Sequence, residues 1–403
     1  MPDFSSTWVI VPTYWTWPSS DPRSERVTGA FDHPTPVDGE STLPRLLESL
    51  SEQDGLPFQV LVLAGYVEAS PDLIRAARDR LTDIFKAYAS RLSLYLCDAE
   101  TLSTFRREVD RAGVSLPERA FDLISYAGIR NLQLLIPHIG EAEVIIALDD
   151  DEVVPSDYVA RARDLVGRRV GHSRVLGLAG PYADAAGNIY LPEPEATGNI
   201  FHDKPIIMNE GLRALMQQPG ELVPSPQALG GNMAFHRELF MRVGFDPGIT
   251  RGEDMDYLIN ARLAGVQWWM AKDLRITHLP PHHYRTPRYD QLRKDLIRFF
   301  YERAKLRSHG VDPALFDPYP GRFLRADLEQ HALEALESEA TPAYVRLYGD
   351  PETILAEAAA RAETHLPRYA GFATGWEALM RRIAEDTTLR HTLQITLLAE
   401  NNV

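Results

Sequence analysis

The chain has 403 residues, 44% of them hydrophobic and 25% charged, and its 57 acidic and 42 basic side chains leave a formal net charge of −15. This balance excludes wholesale disorder, and so acidic a chain repels a polyphosphate backbone and is poorly suited to broad docking on anionic lipid, so no nucleic-acid partner is expected. No run approaches the roughly 20 apolar residues of a transmembrane segment, the N-terminus lacks the basic start of a signal peptide, and the lone Cys97 permits neither a disulfide framework nor a cysteine zinc site, so a cytoplasmic protein is expected.

In chain order, residues 8–12 (WVIVP) read as a short buried strand stopped by its proline. Residues 15–40, with four prolines and no period, read as a long loop. Leu43, Leu46, Leu47 and Leu50 line one face of a helix over 40–53. A strand over 58–64, a helix over 71–89 and a strand over 92–97 continue a rhythm that predicts a parallel sheet covered by helices. Residues 98–117 read as an insertion, followed by a helix over 118–137, a strand over 143–148, a helix over 156–168 and a strand over 174–179. Six prolines make 184–226 an excursion over the sheet edge, and 252–265 form an amphipathic helix. Residues 267–283 suggest one or two short strands leading to a histidine-rich loop.

Beyond about 288 the pattern is helical: Leu324, Leu328, Leu333 and Leu336 form an apolar stripe, and 352–364 and 375–398 are further helices. A boundary near 285 is expected between an α/β catalytic domain (1–284) and a helical C-terminal region (285–403) that caps the site or forms a homo-oligomer interface.

The chemistry concentrates where the strand EVIIAL runs into Asp149, Asp150, Asp151 and Glu152. In an open parallel sheet ligands bind beyond the carboxyl ends of strands, so these acids lie where substrate is expected. In extended chain residues i and i+2 share a side, so Asp149 and Asp151 converge while Asp150 turns away. Hard carboxylate oxygens suit Mg²⁺ or Mn²⁺, held together with substrate phosphates. A solvated acidic turn is the plainer alternative, but four acids in a row repel one another without a cation.

IALDDDEVVP resembles the Asp-X-Asp signature of GT-A-fold glycosyltransferases, particularly the large family 2 and its relatives. The resemblance implies a Rossmann-like, mostly parallel sheet, a nucleotide-diphosphate-sugar donor and a divalent cation. It puts Asp149 on the nucleotide ribose and Asp151 on the metal, with Asp150 counted among the nucleotide-side residues. VIVPTYW resembles the opening strand of that family, whose corresponding residues here, Pro12, Thr13 and Tyr14, would line the nucleoside pocket. YAGIRN resembles its Ala-Arg-Asn segment, implying that Arg130 and Asn131 face the nucleotide. The second strand ends Ala64-Gly65, where the family usually has an Asp that reads the base, so the base is not read from this motif.

Gly230-Gly231-Asn232 and, twenty residues on, Gly252-Glu253-Asp254 resemble the stretch that shapes the acceptor pocket. Each alone fits a tight turn or a helix cap. The pair implies acceptor contacts from Gly231, Asn232 and Glu253, with Asp254 as the base of an inverting transfer to a hydroxyl of a small molecule or glycan. His278, leaving a strand, is expected as a third metal ligand, the arrangement a retaining enzyme would share, with His282 and His283 as weaker candidates. Trp15, beside the nucleoside pocket, is expected to stack on a ligand, and Trp268 and Trp269 to pack in the core.

Nucleotidyl transfer would bring a glycine-rich phosphate loop after the first strand, and a P-loop enzyme its own motif; VIVPTYWTWP has neither. A non-catalytic sugar- or nucleotide-binding module is the remaining alternative. The presence of both acidic motifs argues against it.

Overall fold

The computed structural model describes residues 6–25, 31–55, 57–117, 119–281 and 287–399. The strands in chain order are β1 Thr7–Thr16, β2 Thr35–Pro36, β3 Gln59–Tyr66, β4 Leu94–Cys97, β5 Val144–Leu148, β6 Glu152–Val153, β7 Arg169–Val170, β8 Ser173–Arg174, β9 Gly177–Ala179, β10 Tyr182–Ala183, β11 Leu222–Pro224, β12 Asn232–His236, β13 Trp268–Ala271 and β14 Ile276–His278. The α-helices are α1 Pro22–Glu25, α2 Leu43–Ser51, α3 Pro71–Lys86, α4 Ala99–Arg111, α5 Tyr126–Ile139, α6 Tyr158–Leu165, α7 Lys204–Gln217, α8 Arg237–Phe240, α9 Glu253–Leu263, α10 Arg288–Ser308, α11 Leu328–Glu339, α12 Pro342–Tyr348, α13 Pro351–Glu385 and α14 Thr387–Gln394.

The main sheet runs β11-β13-β9-β12-β5-β1-β3-β4, with β2 added beside β1. Pairs β1–β3, β1–β5, β3–β4 and β9–β13 are parallel, whereas β12 runs antiparallel to both β5 and β9. The architecture is the expected α/β one, a mostly parallel sheet flanked by helices with a helical C-terminal region. β12 has one consequence for the site. Because it runs backwards, its start lies at the same sheet edge as the end of β5, with Asn232 opposite Leu148. A second sheet, β10-β14-β6, sits at that edge and pairs His278 with Glu152.

β1 extends four residues past Pro12, into what the sequence suggested was loop. The proline is tolerated because pairing with β5 stops at Ile10, which leaves one side of the strand without a ladder partner there. Beyond it Trp15 pairs with both Tyr66 and Thr35 and is fully buried, so it is a core residue and not a stacking platform. Trp268 and Trp269 are packed as expected.

Residues 98–117 are not a plain insertion. Asp98 caps α4 by accepting from the Glu100 and Thr101 N–H groups, and Leu102, Phe105 and Val109 bury one face. Likewise 184–226 contains α7, where Pro205 stands in the first turn and starts the helix instead of breaking it. Pro224 closes the edge strand β11, the place in a sheet where a missing N–H costs least.

α5 is buried on all sides because it lies between β1, β3 and β5 on one face and α13 and α14 on the other. Residues on both sides of position 285 therefore share one core, from Trp8 to Leu397. The Trp376 indole N–H donates to the Phe240 carbonyl at 2.9 Å, and Gln394 Nε2 donates to Ile139 O at 2.9 Å. Among the described residues, no helix is long and apolar enough to cross a membrane.

The α5–α13 seam carries a pH-sensitive contact. His138 is fully buried, and its Nε2 lies 2.8 Å from Met380 O. Burial pushes its pKa down to about 4, against about 6.5 in the unfolded chain. Between those values the unfolded chain takes up a proton that the folded chain refuses, so stability falls on acidification through this window, by roughly 3 kcal/mol in all. Denaturant midpoints measured from pH 7 to 4.5 are expected to fall more steeply for the wild type than for His138→Gln.

Candidate active site

The site is built where the end of β5, the start of β12 and the start of α9 meet. Arg130, buried on α5, joins them. Its NH2 donates to Asp149 Oδ1 at 2.8 Å, its Nε to Glu253 Oε1 at 3.2 Å, and its NH1 to Gln133 Oε1 at 3.2 Å. Burial works against the guanidinium charge, but the two carboxylates outweigh it and raise its pKa well above the usual value. Glu253, also buried, is lifted to about 6 by burial and by the neighbouring Asp254, with Arg130 acting in the opposite sense.

The acidic run does not alternate as extended chain would. β5 ends at Leu148, and Asp149–Glu152 form a turn in which the Glu152 N–H donates to Asp149 O at 3.3 Å. The three aspartates consequently fan out. Asp149 meets Arg130, whereas Asp150 accepts from the Thr13 hydroxyl at 2.7 Å and is lifted to about 7 by burial and by Asp151. Asp151 Oδ2 lies 3.3 Å from His278 Nε2. Burial disfavours the imidazolium, but the hydrogen bond to Asp151 and the added charge of Asp149 outweigh it and raise the His278 pKa.

Glu152 turns back under the cluster. Its Oε2 accepts from the Asp149 N–H at 2.9 Å, while Oε1 is buried without a hydrogen-bond partner among the described residues. Burial and the flanking aspartates raise its pKa well above the carboxylate range. Gly231 leaves room for these acids: a Cβ would stand 2.1 Å from Glu152 Oε1 and 2.7 Å from Asp149 Oδ2, so a larger residue would displace both carboxylates. The Gly231 N–H donates to the Tyr182 hydroxyl.

Asp254 occupies the first turn of α9. Its Oδ1 accepts from the Met255 N–H at 2.8 Å, and a methyl on Gly230 would lie 3.6 Å from its Oδ2 and 3.3 Å from Arg130 NH2. Asp149, Arg130, Gly230, Glu253 and Asp254 thus line a single cavity of about 430 Å³. His278 faces a second opening of about 520 Å³, lined also by Ser41, Thr42, Arg45 and Asp184.

Two expected site residues point elsewhere. Asn131 follows Arg130 on a helix, so the two side chains diverge by about 100°. Its Nδ2 donates to Phe245 O and its Oδ1 accepts from the Phe245 N–H, both at 2.8 Å, which clamps α5 to that loop. Asn232 is fully buried, accepting from the Tyr158 hydroxyl at 2.6 Å and donating to Leu274 O at 2.8 Å, so it ties strands together. Pro12 is within β1, and Tyr14 packs on Phe31 and Tyr126 with ring centroids 4.2 and 5.5 Å away. His282 and His283 lie outside the described residues.

Asp151 and His278 fit a divalent cation as a partial ligand set. One or two protein groups completed by substrate phosphates is the usual way such an ion is held. Among the described residues, no three His, Cys, Asp or Glu side chains form a complete metal cluster. Local motifs left Tyr182, Lys204, Arg251 and Arg298 unmarked, although all four line the cavity at Asp254. Only Arg251, adjoining Gly252-Glu253-Asp254, stood near a recognisable signal.

No protein-family model and no curated protein matches the chain. Among solved structures it is similar to the mannosyltransferase PcManGT from Pyrobaculum calidifontis in complex with GDP-Man and Mn²⁺, with 16% identity, 95% of this chain and 88% of that chain covered, and a TM-score of 0.45. It is also similar to S. aureus TarS, at 13% identity over 92% of this chain and 55% of that one, TM-score 0.42. A third similar structure is GalNAc-T7 with UDP, GalNAc and Mn²⁺, at 11% identity over 86% and 57% of the two chains, TM-score 0.39. The chain thus spans somewhat more than half the length of the latter two.

Proposed function

We propose that this protein is a divalent-cation-dependent glycosyltransferase that moves a sugar from a nucleotide-diphosphate-sugar donor to an acceptor hydroxyl. One observation carries the reading: Arg130 joins Asp149, at the end of the Asp-X-Asp strand, to Glu253, beside Asp254, on a single cavity. Two acidic elements about a hundred residues apart in sequence are thereby held on one site, as a reaction between two bound substrates requires.

Asp149, oriented by Arg130, would contact the donor nucleotide, and Thr13 with Asp150 would line its approach. Asp151 and His278 would hold Mn²⁺ or Mg²⁺, which when bound stabilises negative charge on the departing diphosphate. The acceptor oxygen attacks the anomeric carbon as the bond to the diphosphate oxygen breaks, and that electron pair leaves with the nucleoside diphosphate. Asp254 takes the hydroxyl proton, with configuration inverted. Glu253 would hold acceptor hydroxyls, and Gly231 lets Glu152 approach closely enough to support the Asp149 backbone.

Thermal unfolding with a panel of nucleoside diphosphates, with and without Mn²⁺, tests the reading. One nucleotide at about a hundred times its Kd is expected to stabilise the chain by about 2.7 kcal/mol, and only with metal present. Asp151→Asn should abolish the metal dependence. Absence of a response to every nucleotide would remove the transferase reading.

A further inference from the structure

The cavity at Asp254 is acidic where Asp32, Asp149, Glu253 and Asp254 stand, yet it also has a basic wall. Lys204 at the start of α7, Arg251 just before α9 and Arg298 on α10 all line it, in a chain whose net charge is −15. They surround the buried Asp295. Lys204 Nζ is 2.7 Å from Asp295 Oδ2, while Arg251 NH1 and Arg298 NH2 lie 2.9 and 4.0 Å from Oδ1. Arg251 reaches one further carboxylate, Asp32, at 3.3 Å. Glu302 lies 3.6 Å from Arg298, and burial pushes its pKa up while Arg298 acts in the opposite sense. Three cations thus gather around Asp295, with Asp32 and Glu302 each touching a single one of them.

Arg298 is 3% exposed, and its Nε has no hydrogen-bond partner among the described residues. Its NH2 donates to the Tyr319 hydroxyl at 2.8 Å. The guanidinium presses on Gly252, where a Cβ would fall 1.5 Å from NH1, and this glycine has φ of 72°. A buried arginine beside two further cations, all three lining one cavity, is suited to a planar or tetrahedral oxyanion. The cations adjoin Asp254 through Arg251 and Gly252, whereas Asp151 and His278 do not line this cavity.

We propose that Lys204, Arg251 and Arg298 form an anion subsite for the acceptor, which is a small hydroxyl compound carrying a phosphate or carboxylate group. This rests on the transferase reading above. The subsite would hold the acceptor by its charged end and place its hydroxyl at Asp254, a task distinct from binding the donor diphosphate.

The test is titration of the full chain with inorganic phosphate and with lactate, followed by thermal unfolding and calorimetry, alone and with the nucleoside diphosphate and Mg²⁺ that stabilise it. Phosphate or lactate is expected to bind, and its stabilisation to add to that of the nucleotide. Arg251→Gln and Lys204→Gln should each weaken the anion at least ten-fold while leaving the nucleotide response unchanged. Arg298→Lys, which keeps the charge but not the fork, should weaken it less. With the donor known, glycerol phosphate should exceed glycerol as acceptor at least ten-fold. Competition between phosphate and nucleotide, or loss of both responses in Arg251→Gln, would assign the cations to the donor diphosphate and overturn the inference. Nucleotide binding without any anion binding would remove the subsite alone. Absence of nucleotide binding would remove the transferase reading, and the acceptor assignment with it.

Discussion

Asp254→Asn is expected to lower turnover by about 10²–10⁴-fold, the usual contribution of a positioned general base, with donor affinity unchanged within about two-fold. The substitution preserves shape, and an Asn oxygen can still accept from the Met255 N–H as Asp254 Oδ1 does. It leaves the Asp149–Arg130–Glu253 connection intact, so the donor side should not be disturbed. Initial rates of nucleoside diphosphate release under saturating substrates measure the first quantity, and calorimetric titration of the nucleotide measures the second. A fall of less than ten-fold would exclude Asp254 as the base. Loss of nucleotide affinity would show that the α9 start belongs to the donor site.

The largest stability effect is expected at Lys305. It is fully buried on α10, and its ammonium lies 2.5 Å from Asp246 Oδ2 and 2.6 Å from Asp256 Oδ1. Asp246 also accepts from the Tyr301 hydroxyl at 2.7 Å, and Asp256 from Asn260 Nδ2 at 2.7 Å. Lys305→Met leaves two buried carboxylates without a cation, and breaking such a set costs about 3–5 kcal/mol. Asp256 is already lifted to about 6 by burial, with Lys305 the main influence holding it down.

Without the lysine, the folded-state pKa of Asp256 rises further above its unfolded value. The deficit is therefore greatest at neutral pH and shrinks as the acids protonate on acidification. Urea midpoints should show this convergence below about pH 6. Adding Asp246→Asn and Asp256→Asn to Lys305→Met should recover most of the loss. Because α9 carries Asp254 two residues from Asp256 of this cluster, Lys305→Met should also reduce turnover in molecules that remain folded.

Short-range signals were the legible ones. The WVIVP and EVIIAL strands, the helix bearing Leu43, Leu46, Leu47 and Leu50, and the alternation of strand and helix follow from periodicity that any window of the chain displays. Proline misled where position mattered: Pro12 lies inside a strand and Pro205 starts a helix, because each stands where its missing N–H is not needed. Asp98 capping α4 was readable in principle, but the uneven charge of 98–117 concealed the Leu102–Phe105–Val109 face.

In the candidate site, Asp149, Asp151, Arg130, Glu253, Asp254 and His278 already stood out in the sequence by type and by their neighbours, as candidates for the proposed chemistry. Their directions were decided by the tertiary structure. A turn after Leu148 fans the aspartates apart, helical rotation sends Asn131 to Phe245 while Arg130 reaches Asp149, and the reversed β12 commits Asn232 to the strands around it. The basic wall also belongs to the tertiary level. Lys204, Arg251 and Arg298 come from separate segments, and only the packing of α7, the loop before α9, and α10 around Asp295 brings them together. Periodicity and motif act over a few residues, whereas convergence of charges across ninety residues is set by how buried surfaces fit.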